Sequence, residues 1–101
     1  MKFSVKWLRD YCPTNLSAEQ LGAALTAFGQ EVEEVRREDD DWTLEIEVVP
    51  NRPDCLSYVG MAREISYLAR APLIMPAVFV KETPPGARIP VSVEVIADDL
   101  C

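Results

Sequence analysis

Glu45 and Glu47 are the first residues whose type and spacing could do chemistry. Two carboxylates two apart on a strand point the same way, and such a pair can do acid–base work when burial raises one pKa. Here they alternate with Leu44, Ile46 and Val48. That places both on the polar face, where they read as solvated charges. A second acidic run, Glu38-Asp39-Asp40-Asp41, could hold a divalent cation. It lacks the ligand spacing and glycine turn of a calcium loop and reads as an exposed hairpin tip. Arg63, Tyr67 and Arg70 share a helix face at spacings of four and three. Such a face could stack on RNA and pair with it. The plainer reading is surface charge or a subunit contact.

The remaining chemistry is bounded by what the chain lacks. It has three cysteines and no histidine. A Ser-His or Cys-His nucleophile cannot be assembled within it, and neither can a histidine-containing zinc site. The cysteines, at 12, 55 and 101, are odd in number and widely spaced, against a disulfide framework. Cys12 and Cys55 read as small buried apolar residues. The four glycines are isolated, so no phosphate-cradling loop is present.

The elements that would position these groups are legible from periodicity. Trp7-Leu8 and Tyr11-Cys12 predict a short helix over Val5–Cys12, stopped by Pro13. Ser17 and Gln20 make a capping box, with Leu16 and Leu21 as its hydrophobic staple. They open a helix over 17–28, which Gly29 ends as a left-handed C-cap. The period then changes to two: a weak strand around Val32 and Val35, then a half-buried one through Leu44, Ile46 and Val48. Pro50 and Pro53 hold the following turn extended. Asp54 is the expected N-cap of a third helix running to about Arg70, while Arg52 has no obvious local partner. The inner face of that helix is read as Cys55, Tyr58, Val59, Ala62, Ile65, Ser66 and Ala69. Beyond Ala71 the chain is proline-rich, with alternation returning over Ile89–Ile96.

With 101 residues, 49% of them hydrophobic, the chain can build one small core. It has no apolar run of bilayer length and no signal-peptide stretch, which predicts a cytoplasmic protein. The net charge is −7. Residues 31–54 alone carry ten acids against three arginines. Such a balance repels phosphate and makes a free-standing nucleic-acid module a poor reading.

The most informative segment is Glu45-Ile-Glu-Val-Val-Pro-Asn-Arg-Pro-Asp-Cys-Leu-Ser57, followed by Gly60-Met-Ala-Arg-Glu64. It resembles the segment of bacterial phenylalanine–tRNA ligase β subunits in which a strand runs through a Pro-Asn-Arg-x-Asp-Cys-Leu turn into a helix with Gly-x-Ala-Arg-Glu. Met1-Lys-Phe-Ser-Val-Lys-Trp-Leu-Arg9 and Phe28-Gly-Gln-Glu-Val-Glu-Glu-Val35 resemble the same family's N-terminal region. Together the matches cover residues 1–70, and the tail resembles the lead-in to an editing domain. Most bacterial members insert an OB-fold tRNA-binding module where only Arg36–Trp42 stands here. A naturally shorter form, an archaeal-like arrangement and a deletion are all compatible with that.

The expected fold is α+β: three helices and a short antiparallel hairpin, winged-helix-like, followed by the start of a β-rich domain. Residues 1–75 form the first domain; residues 76–101 are a linker and the first strand of the next. The resemblance implies a class II synthetase of two α and two β subunits that charges tRNA with phenylalanine. It implies ATP and magnesium for the holoenzyme, but no cofactor or metal held by this segment. The α subunit and the other β domains are the implied partners, tRNA is contacted indirectly, and no membrane is involved. Catalytic residues are expected elsewhere. Asn51, Arg52, Asp54 and Arg63 are the candidate turn and interface residues. A free-standing nucleic-acid-binding or protein-interaction module is the alternative.

Overall fold

The computed structural model describes residues 1–87, 91–92, 94–96 and 99. Its elements in chain order are β1 (Lys2–Ser4), α1 (Val5–Tyr11), α2 (Ala18–Ala27), β2 (Glu31–Glu38), β3 (Asp41–Glu47) and α3 (Tyr58–Ala69), with 3-10 turns at Pro53–Leu56 and Pro85–Ala87. The α+β expectation holds. The sheet is larger than the expected hairpin: three antiparallel strands in the order β1-β3-β2. The added strand is Lys2–Ser4, which pairs Phe3 with Leu44. Three residues are too few to show a period, so this strand is not legible ahead of its partner.

Alternation along β3 does what it predicts. Leu44 and Ile46 are buried, and Val48 packs against them from the strand's end. The helices cover this face. Phe3, Val5, Leu8, Cys12, Ala18, Leu21, Leu25, Cys55, Met61, Ala62 and Ile65 complete the core. Gly22 lets α2 approach β2, with the position of an added Cβ only 3.0 Å from Val35 Cγ2.

The α2 boundaries follow the sequence signals. Ser17 Oγ accepts from Gln20 N–H at 3.2 Å, and Gln20 Oε1 accepts from Ser17 N–H at 2.8 Å. Gly29, at φ 93°, turns the chain. The Gly29 and Gln30 amides then donate back to Thr26 and Leu25, which satisfies carbonyls the helix end would leave open.

The start of α3 corrects the sequence reading. Asp54 lies within the 3-10 turn rather than at the α-helix N-cap. Ser57 is the cap, its Oγ accepting from Gly60 N–H at 3.0 Å. Two potential caps stand three residues apart, and Pro53 favours the nearer one when the sequence is read alone.

After α3 the chain is extended. Ala71 and Leu73 pack on the core, and Ile74 N–H donates to the Tyr11 carbonyl at 2.7 Å. Within the expected strand Ile89–Ile96, positions 89, 90 and 93 lie outside the described residues. Val91, Ser92, Glu94 and Val95 are described and form no strand.

Candidate functional site

Two of the residues singled out by sequence, Arg52 and Asp54, meet in the turn between β3 and α3. Two prolines stiffen it, and Arg52 N–H donates to the Val49 carbonyl at 3.0 Å. Arg52 Nη2 is 2.9 Å from Asp54 Oδ2 and 2.7 Å from Glu64 Oε1, while Nε donates to Asp54 Oδ1 at 3.1 Å. One guanidinium thus grips two carboxylates, using the fork geometry that lysine lacks. The Arg52 hydrogen bonds hold the Asp54 carboxyl far below the usual range, at about 2, against the opposing effect of desolvation. Asp54 and Glu64 together keep Arg52 charged beyond its ordinary range.

Glu64 is the partner the sequence reading missed. It lies two helical turns into α3, and nothing local marks it as facing the turn between β3 and α3. The spacing of twelve residues from Arg52 is the available signal. Asn51 stays exposed in the turn, and Arg63 stands exposed on α3; neither joins the cluster. The expectation that Arg52 lacks a local partner is therefore overturned.

Beneath the ion pair the packing is tight. A Cβ on Gly60 would lie 1.8 Å from the Asp54 carbonyl oxygen and 2.6 Å from its carbon. No side chain fits there, so the first turn of α3 requires glycine. Cys55 is fully buried, accepts from Gln30 Nε2 at 3.4 Å and donates weakly to Asp54 Oδ2. Burial raises the Cys55 thiol, with the Arg52 charge opposing it, and burial raises Cys12 as well. Both thiols are held protonated and inert, in line with the sequence reading.

Asp54, Cys55 and Glu64 bring three donor atoms within 4.8 Å of one another. They are the residues that could hold a metal. The Arg52 guanidinium already sits on both carboxylates, so the cluster carries its own cation. Its chemistry is that of a brace between strand and helix.

The hairpin tip is more than a solvated turn. Asp39 and Asp40 form the tip, with Asp39 in the left-handed region at φ 53°. Asp41 reaches across to the start of α1. Its carboxylate accepts from Ser4 Oγ, from Lys6 N–H at 3.0 Å and from Trp42 N–H at 2.7 Å. Partial burial works to raise the Asp41 carboxyl, but these bonds and the Lys6 charge outweigh it and hold it below the usual range. Lys6 pairs with Asp40. Ser4 caps α1 by accepting from Trp7 N–H, and donates its own N–H to Tyr58 Oη at 2.8 Å.

Glu45 and Glu47 lie on the sheet face away from the core, opposite Glu34 and Glu31 of β2. Tyr67, 77% exposed, meets the exposed Phe28 ring edge-on at 6.2 Å. These two rings, Arg70 and Ala71 border an open groove of about 600 Å³.

No protein-family profile and no solved structure matches the chain. Individual curated proteins do. The chain is 36% identical over 83 residues, 82% of its length, to a protein of Rhodopirellula baltica. It is 39% identical over 61 residues to a protein of Syntrophus aciditrophicus and 43% identical over 61 residues to one of Moorella thermoacetica, in each case 60% of its length. All three are named phenylalanine–tRNA ligase β subunits. The chain spans only 8–12% of their lengths. The resemblance read from residues 1–70 is borne out as similarity to a segment of that subunit.

Proposed function

We propose that this chain, similar to a segment of phenylalanine–tRNA ligase β subunits, is a non-catalytic scaffold from the N-terminal region of such a subunit. The carrying observation is what the matching residues do. Arg52 and Asp54 of the turn motif and Glu64 of the helix motif are tied to one another, and Gly60 is there for close packing. Each has a bracing role that accounts for it. A segment built this way orders the rest of a subunit: residues 1–75 form the scaffold and the chain beyond leads towards an editing-type domain.

In this reading the winged-helix-like arrangement of three helices and a sheet supports assembly of two α and two β subunits of a class II synthetase in the cytoplasm. ATP, magnesium, phenylalanine and tRNA belong to the holoenzyme. The short hairpin tip occupies the position of the OB-fold insertion, so tRNA contacts come from elsewhere. A free-standing nucleic-acid module is disfavoured by the acidic sheet face, because binding RNA there would oppose phosphate with carboxylates.

The test places Arg52→Ala and Glu64→Gln in the full-length β subunit co-expressed with its α subunit. Assembly and aminoacylation should fall together, and the assembled fraction should retain a normal turnover per complex. Loss of turnover in fully assembled enzyme would overturn the scaffold reading. The isolated chain should neither charge tRNA nor hydrolyse mischarged tRNA, and turnover that follows it through purification would do the same.

A further inference from the structure

The strand order β1-β3-β2 leaves β2 at the edge of the sheet, with no strand among the described residues along its outer side. Such an edge is a template for another strand. Near its start, Thr26 Oγ1 accepts from Val32 N–H at 3.1 Å, and a bulge interrupts the register between Val32 and Glu34. The open stretch therefore begins near Glu33.

That stretch reads Glu33-Glu34-Val35-Arg36-Arg37: acid, acid, apolar, base, base. All four charged residues are exposed, and Val35 is half-buried. The charges are antisymmetric about Val35. In an antiparallel ladder between two copies, a two-fold axis at Val35 sets Val35 against itself. It also sets Glu34 against Arg36 and Glu33 against Arg37, each twice.

Opposite charges across strands stabilise a ladder and like charges destabilise it. A slip of one pair either way sets Arg36 against Arg36 or Glu34 against Glu34. An in-register parallel pairing sets every charge against its like. Charges on an edge usually prevent pairing; these favour the register centred on Val35 over its antiparallel neighbours. Within a single chain Arg36 pairs with Glu34 and Glu38 of its own strand and also feels the Glu45 charge of β3, all on the solvent-facing side of the sheet. Exposed pairs of that kind contribute little and are easily exchanged.

We infer that a second copy of this chain adds its β2 antiparallel to this one about Val35, joining two three-stranded sheets into one of six strands. The interface is a single strand wide, so self-association is weak, with a Kd between about 10 μM and 1 mM. This surface lies away from the Arg52 brace and does not depend on the scaffold reading.

Sedimentation of the 101-residue chain over a concentration series tests it. Arg36→Glu with Arg37→Glu makes the stretch wholly acidic; Glu33→Arg with Glu34→Arg makes it wholly basic. Each double variant alone should associate at least about tenfold more weakly than the parent chain, because like charges then face each other. An equimolar mixture of the two should form a heterodimer at least as tight as the parent dimer. Thermal melts establish that both variants fold, and the mixture reports on pairing even if one is less stable. A parent chain that stays monomeric at millimolar concentration, a dimer that both variants retain, or a mixture that fails to associate would each overturn the inference.

Discussion

Two helix starts in this molecule are held by aspartate, and they are built differently. At α1, Asp41 comes from the hairpin tip, 35 residues from Lys6, and its carboxylate bonds main-chain amides and the cap hydroxyl directly. At α3, Asp54 is local, is exposed, and bonds a side chain, Arg52, while Ser57 caps the helix. The first arrangement makes one carboxylate indispensable to several elements. The second divides the bracing among an ion pair, a hydroxyl and a glycine. A distant carboxylate on backbone donors should therefore matter more than a nearby one on a guanidinium, although Asp54 has the more strongly shifted pKa.

The sharpest break at α3 is steric rather than electrostatic. Gly60→Ala puts a methyl into the Asp54 carbonyl and should cost about 3 kcal/mol in urea unfolding. Gly22→Ala, which meets side-chain carbons of Val35 at 3.0 Å and Val32 at 3.5 Å rather than backbone, should cost less. A small effect at Gly60 would mean that the 3-10 turn shifts freely and is no brace.

Asp41→Ala should come next, at about 2 kcal/mol, since it strips charge-assisted bonds from Ser4, Lys6 and Trp42 together. Asp54→Ala should cost less, and that ordering is the comparison in its barest form; the reverse order would sink it. Ser57→Ala should cost about 1 kcal/mol, the usual loss for an N-cap.

Acid titration sharpens the contrast further. Asp54 titrates at about 2 when folded, below the usual value of about 3.9. A depressed carboxyl adds stability that is fully present above its unfolded pKa and is lost as pH falls through the folded one. The contribution of the Arg52 pair should fade from about pH 4 to about pH 2. Urea midpoints for the parent chain and Asp54→Asn should converge across that window. Parallel curves would show that the exposed pair contributes nothing measurable.

The smallest effect has the opposite sign. Arg70 ends α3 in the left-handed conformation at φ 49°, where its Cβ is crowded. Arg70→Gly should raise stability by about 0.5–1 kcal/mol, read from the thermal midpoint.

What is legible in the sequence divides along the same line. Helix α2 announces itself through Ser17, Gln20 and Gly29 because its signals lie within a turn of the backbone they satisfy. The alternation in β3 names its own buried face. The Asp41 clamp cannot be read, because Asp41 and Ser4 are partners only once β1 has docked. The sequence puts Asp54 correctly in the turn but misassigns its role. Composition shows that a carboxylate precedes a helix, but not which donor it will face. Glu64 lies inside the Gly-x-Ala-Arg-Glu motif, and its partner becomes visible only when the turn that holds Arg52 packs against α3.

The pairing of β1 carries a kinetic consequence. β2 and β3 join through two residues and can zip within microseconds. Phe3 meets Leu44 only after a loop of some forty residues closes, an entropic cost that must be met before any of its contacts form. The hairpin should thus be native early, with β1 and the Ser4–Asp41 clamp arriving after the rate-limiting step. Ser4→Ala should then speed unfolding and leave refolding nearly unchanged, while Val35→Ala slows refolding, so the two ends of one sheet report on opposite sides of the barrier.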